Sequence, residues 1–160
     1  MRDDQLYKIN PNNVGKCIII NQKLYYKKGL NSRLGTDLDC SRLEETFTML
    51  GYEVDVLNHV IYSKMAGKLK KVADEIEEHC SSLVVCILAH GQKGATNIQI
   101  KNCILIIKKF ADVIICPDGT EYPIEKIKEI FDATKCRYLL QKPKIFFIQA
   151  CQGDEKLAGK

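Results

Sequence analysis

No C-x-x-C pair, no apolar window of 18 residues and no glycine-rich phosphate loop after a strand occur in this sequence. Each absence removes a class of protein. Zinc sites need paired thiolates or a Cys/His cluster; Cys86 and His90 fall on one face of a strand, but no second pair joins them, so no metal is expected. A transmembrane helix needs roughly 18 or more consecutive apolar residues, so none is expected. A nucleotide-binding α/β module needs a glycine-rich loop to cradle phosphate, so that reading is set low. The opening MRDDQLYKINPNN is polar and lacks the apolar stretch of a secretory signal. A net charge of +4 is modest and points to neither nucleic acid nor a membrane surface.

What is present is ordinary globular material: 160 residues, 46% hydrophobic and 28% charged, enough for about one domain. The eight cysteines include several inside apolar runs such as VVCIL. A disulfide framework belongs to small secreted chains with loop-borne cysteines. A reduced, cytoplasmic protein is therefore expected, with no cofactor.

Residues 1–15 form a polar lead-in, and CIIIN from Cys17 is a short buried strand. The stretch QKLYYKKGLNSRLG is a loop punctuated by Gly29 and Gly35. Thr36 or Asp37 caps a helix with Leu43, Phe47 and Leu50 on its apolar stripe, closed by Gly51. YEVDVL alternates as a second strand. Ser63 opens a helix whose stripe is Met65, Leu69, Val72 and Ile76, with lysines on the solvated face. SLVVCILAHG is a third strand. Pro123 begins a helix bearing Ile124, Ile127 and Phe131, and Ile145–Ile148 forms the fourth strand. Strands alternating with helices predict an α/β fold with a mostly parallel sheet flanked by helices, buried on both faces.

In such sheets functional residues gather at the carboxyl ends of strands. His90-Gly91 ends one strand and Gln149-Ala150-Cys151 ends another, within KPKIFFIQACQG, where Gln152 and Gly153 turn the chain away. A free cysteine is usually a small buried hydrophobe. The string QACQG shifts that reading, because it matches a cysteine-nucleophile signature. A thiol nucleophile needs a base, and an imidazole supplies one. His59 follows a strand and His79 sits near a helix end, where structural roles are expected. His90 is the best-placed partner for Cys151. The amides of Gly91 and Cys151 are candidate donors to a developing oxyanion, each worth ~3 kcal/mol in the transition state.

The segments GKCIIIN, SRLGTDLDCSRLEETFTMLGYEV, SSLVVCILAHG, CPDGTEYPI and KPKIFFIQACQG, in this order, resemble the large catalytic subunit of a caspase over nearly the whole chain. The resemblance implies a three-layer caspase-like domain over residues 16–154. It implies Cys151 as nucleophile, His90 as acid/base, and Gly91 with Cys151 as oxyanion donors. It implies Arg33 and Gln149 as lining of the S1 pocket. A guanidinium there would bind a substrate aspartate bidentately and disfavour substrates without the acid. The implied protein is an aspartate-specific cysteine endopeptidase of apoptosis or related signalling, made as a zymogen and acting on protein substrates.

Three departures accompany the resemblance. Cys151 follows His90 by 61 positions, against a family spacing of about 50. The surplus falls in residues 95–117, an atypical insertion that reads either as an extra hairpin near the site or as an unspliced or mispredicted segment, the balance lying with an artefact or a lineage-specific insertion without active-site function. Ala89 stands where many family members have serine. The sequence runs nine residues past Cys151, with 155–160 read as a tail or the start of an intersubunit linker. The small subunit's strands are absent, so the sheet is expected to be incomplete, with the Cys151 strand at an unpaired edge awaiting a small subunit. The resemblance also implies dimerisation of that heterodimer. The isolated chain is expected to be nearly inactive. The rival expectation is a non-catalytic homologue or decoy that regulates active caspases by pairing with them.

Overall fold

A computed structural model describes residues 7–92, 100–101, 104–109 and 113–152, with Gln92, Ile100–Lys101, Ile104–Lys109 and Cys151–Gln152 described in backbone alone. The β-branched run GKCIIIN forms β1 (Gly15–Asn21), wholly buried at the middle of a parallel sheet. It pairs in parallel with β2 (Tyr52–Asn58) on one side and with β3 (Leu83–Gln92) on the other. β3 in turn pairs in parallel with β8 (Lys144–Gln152). Near-continuous apolar sequence is what strands covered on both faces require.

The covering layers come from three helices: α1 (Thr36–Met49), α2 (Tyr62–Asp74) and α3 (Ile124–Ile130). Cys40 and Phe47 of α1 pack on Cys17, Ile19, Val84, Cys86 and Leu88. Met65, Leu69 and Val72 of α2 join Ile127 of α3 and Phe131 beside it over Ile18, Ile20, Val85, Ile87, Phe146 and Ile148. Odd and even positions of each strand thus feed different helical layers, as strand pleating demands. Fully buried, each large aliphatic or aromatic side chain contributes about 1.5–3 kcal/mol.

Local chemistry differs from the sequence expectation at several points. Gly35, not Thr36 or Asp37, occupies the cap position of α1, and no side chain caps it. Thr36 lies inside the helix, and its hydroxyl donates to Asn21 Oδ1 at 2.8 Å instead. Leu50 falls off the buried stripe at 57% exposure, as the C-cap residue. Gly51 closes the helix with φ +89°, the left-handed conformation glycine adopts cheaply. α2 starts at Tyr62 rather than Ser63, after Ile61. β1 starts at Gly15, and the preceding chain is fastened down: Asn10 N–H donates to Ser81 Oγ at 2.7 Å.

The stretch read as an insertion holds three further strands and supplies a correction. β4 (Ile100–Lys101) and β5 (Ile104–Lys109) pair antiparallel as a hairpin. β5 also lies parallel along β8, from Ile104 opposite Lys144 to Lys109 opposite Gln149. β8 is therefore not an unpaired edge over Lys144–Gln149: the same chain covers it. β6 (Val113–Ile115) pairs antiparallel with Gly91–Gln92 and with β7 (Glu121–Pro123). Among the described residues the result is a mixed eight-stranded sheet, its main order β2-β1-β3-β8-β5-β4. Gln152 still belongs to β8, opposite Gly91, rather than turning away. Gly94, Ile98, Cys103, Gly153 and the tail from 155 lie outside the described residues.

Candidate active site

The register of β3 against β8 decides what meets at the carboxyl end of the sheet. Leu88 stands opposite Gln149, Ala89 opposite Ala150, His90 opposite Cys151 and Gly91 opposite Gln152. Adjacent strands lie about 4.8 Å apart. His90 and Cys151, 61 positions apart in sequence, are thus direct neighbours across the ladder. By strand alternation His90 shares its face with Val84, Cys86 and Leu88, the residues under α1.

The imidazole is held by the loop between β1 and α1. Its Nε2 lies 2.8 Å from the carbonyl oxygen of Asn31. A carbonyl only accepts, so Nε2 carries a proton, and in the neutral imidazole Nδ1 then presents a lone pair. That Nδ1 is buried and has no hydrogen-bond partner among the described residues. An unpaired buried acceptor is costly and uncommon. The register partner of the residue that carries it is Cys151. The Tyr25 ring lies 4.6 Å from the imidazole, tilted by 44°, and its hydroxyl accepts the His90 backbone N–H at 2.9 Å. Burial pushes the Tyr25 phenol above its ordinary range, so it stays protonated.

Arg33 lies two residues beyond Asn31. Its N–H donates to Lys23 O at 2.9 Å and its guanidinium donates to Thr36 Oγ1 at 2.7 Å. Thr36 in turn donates to Asn21 Oδ1, and Asn21 donates to Asn58 Oδ1 at 3.0 Å. The SRLGTD segment is thereby tied to the carboxyl ends of β1 and β2. Lys23 pairs with Asp37, and the hydrogen bonds from Lys23 and Asn21 hold that carboxyl below its usual range. No carboxylate pairs with Arg33 among the described residues. Gln149 is exposed at the level of Leu88 on one side and Lys109 on the other. Gly91 is buried between register partners Gln152 and Ile114.

The other histidines are elsewhere. His59 Nδ1 accepts from the N–H groups of Lys23 and Leu24, each at 3.4 Å, and His79 lies in an exposed turn. Six cysteines (Cys17, Cys40, Cys80, Cys86, Cys116 and Cys136) are free and buried. Burial pushes the Cys116 thiol up to about 12 and raises those of Cys40, Cys80 and Cys136. The Cys17 thiol is raised first by its hydrogen bond with Cys86, then by burial. Such thiols are poor nucleophiles at neutral pH. Among the described residues no group of three or more His, Cys, Asp or Glu is gathered to hold a metal, and no helix is long and apolar enough to cross a membrane.

Sequence reasoning missed Tyr25 and Asn31. Asn31 acts through its main-chain carbonyl, so residue type carries no signal. Tyr25 is told from Tyr26 only by burial, 9% against 68% exposed.

Comparison with known proteins agrees with this geometry. The family described as Caspase domain matches residues 14–159. Caspase-3 of Xenopus laevis is 38% identical over 155 residues, covering 97% of this chain and 49% of that protein. Caspase-3 of Mesocricetus auratus is 37% identical over 155 residues, covering 95% and 48%. Caspase-7 of Gallus gallus is 36% identical over 152 residues, covering 93% and 42%. The chain spans about half the length of the curated relatives it matches. With two strand ends bringing His90 beside Cys151 and the match running nearly end to end, the chain belongs to the caspase family of cysteine peptidases.

Proposed function

We propose that this chain is the catalytic, large-subunit portion of an aspartate-specific cysteine endopeptidase acting in apoptosis or related proteolytic signalling. The observation that carries the reading is the register of His90 with Cys151, together with a buried His90 Nδ1 that has no partner among the described residues. Nδ1 takes the thiol proton, and the thiolate attacks the main-chain carbonyl carbon of the substrate aspartate. The imidazolium then protonates the leaving amine, and water hydrolyses the thioester. The amides of Gly91 and Cys151 are the candidate oxyanion donors. That role requires the last rungs of the β3–β8 ladder to turn outward, since both residues lie in it. Arg33, unpaired with any described carboxylate, and exposed Gln149 are proposed to receive the aspartate side chain.

Turnover requires, in this reading, a small subunit that supplies the remaining half of the cleft, and the resulting heterodimer pairs with a second copy. The isolated chain is accordingly nearly inactive. The test is co-expression with a caspase small subunit and assay on an aspartyl fluorogenic peptide. Activity is expected, with at least a thousandfold loss in Cys151→Ala; turnover retained by that variant would refute the assignment.

One observation favours a second reading, a non-catalytic homologue that regulates active caspases. β5 covers β8 where an added strand would have to pair. Labelling by an aspartyl ketone inhibitor separates the two, because an enzyme labels at Cys151 and a decoy does not.

A further inference from the structure

β1 leaves the side of β3 before β3 ends. The last β1 register pair is Asn21 with Leu88, and the last rung beyond it runs from Gln22 N–H to Leu88 O at 2.8 Å. On the same flank, β6 takes over only at Gly91–Gln92. Between these two partners stands one main-chain donor, the N–H of His90, partly buried and in need of an acceptor. The Tyr25 hydroxyl fills that gap at 2.9 Å. The same side chain sets its ring against the imidazole, while Asn31, six residues later in the same loop, takes Nε2–H. One loop therefore grips His90 at its backbone, its ring face and its distal nitrogen, leaving Nδ1 without a partner among the described residues.

We propose that Tyr25 is a positioning residue for His90: its hydroxyl completes the β3 ladder where β1 has departed, and its ring fixes the imidazole plane, so that Nδ1 is held in one orientation. Tyr25 touches neither substrate nor thiol in this role; it acts through His90. The hydroxyl is the decisive part, because phenylalanine would keep the ring and orphan the N–H. The kinetic side of the inference rests on the catalytic reading of His90 given above, whereas its structural side does not.

The experiment compares the 15N-labelled 160-residue chain with Tyr25→Phe and with Tyr26→Phe as control. Hydrogen exchange at the His90 amide and the ring-nitrogen shifts of His90 are measured. In Tyr25→Phe, His90 exchange is expected to rise about tenfold or more relative to Gln22, whose rung is untouched. The ring pattern should move from a single Nε2–H tautomer toward a mixture. Tyr26→Phe should leave both unchanged. Unchanged His90 exchange in Tyr25→Phe, or an equal rise at Gln22 and His90 together, overturns the proposal. If Tyr25→Phe does not fold by circular dichroism, the wild-type spectrum decides: an unprotected His90 amide or a mixed tautomer also overturns it. In the assembled enzyme, Tyr25→Phe should lower kcat about tenfold with KM within about twofold. Unchanged kcat would remove Tyr25 from the catalytic arrangement. A wild-type assembly that turns over no substrate refutes the function while leaving the exchange result standing.

Discussion

Arg33 carries a charge that no described carboxylate neutralises, and one of its nitrogens is committed to Thr36. That bond fixes the guanidinium plane and leaves the rest of the fork for a bidentate partner. A lysine would keep the charge and lose the fork. Arg33→Lys is therefore expected to lower kcat/KM on an aspartyl peptide about 10–100-fold, mostly through KM, in steady-state assays of the assembled enzyme. An unchanged KM would take Arg33 out of the pocket. Gly15 is constrained in a different way. With φ +151° its hydrogen faces Ser82, and a Cβ there would stand 2.1 Å from the Ser82 carbonyl oxygen. Gly15→Ala should cost about 3 kcal/mol and lower Tm by about 10 °C in thermal denaturation. Neither constraint is equally legible in sequence. Arg33 stood out because SRLGTD surrounds it, whereas the demand on Gly15 comes from a residue far along the chain. Tyr25 was invisible for the same reason: its acceptor role depends on where another strand stops.

Among the elements, the strands and helices with a complete periodic signature were readable: β1, β3 and β8 as unbroken apolar runs, α2 and α3 as stripes. The N-cap of α1 was not, because Thr36 donates to Asn21 in a hydrogen bond that competes with capping. For the segment from 95 to 117 a hairpin is one of two readings the sequence leaves open; β4 and β5 pair as one, and nothing in the sequence marks β5 as cover for β8. No periodicity reveals which edge a strand will choose, since pairing is long-range. Ile106 sits in the middle of that pairing, opposite Phe146. Proline there removes a ladder donor and should lift β5 away. Ile106→Pro is expected to speed amide exchange along β8 from Ile145 to Ile148 while leaving β1 protected. It should also promote concentration-dependent self-association through the freed edge, seen by size-exclusion chromatography. Unchanged exchange in β8 would show that β5 does not hold it.

For the molecule as a whole, the sheet has a chemical end and a structural end. At the carboxyl end sit His90 and the residue opposite it. At the amino end Lys16, 4% exposed, is gripped by Glu53 at 2.7 Å, Asp55 at 3.1 Å and Glu75 at 3.4 Å, joining β1, β2 and the residue that closes α2. Burial alone would push this ammonium down, but the hydrogen bonds and charges of Glu53 and Asp55 outweigh it and raise its pKa. A raised folded-state value means the stabilisation is fully present below the ordinary lysine value of about 10.4 and is lost as pH climbs through the higher folded value. Lys16→Met should therefore cost about 1–3 kcal/mol at neutral pH. The Tm difference from wild type should begin to narrow above about pH 10.5. A Tm difference that stays constant across pH 8–11.5 would exclude the linkage. The β3–β8 register carries a further consequence, one of timing. During synthesis β1, β2 and β3 emerge long before β8 and can already pair with one another, since domains assemble from the amino end. Through that interval His90 exists without Cys151 beside it. A slip of one residue when β8 finally docks would turn every side chain of that strand to the wrong face. In the proposed function the base thus waits for its thiol, and the catalytic pair comes into being only with the docking of the last described strand.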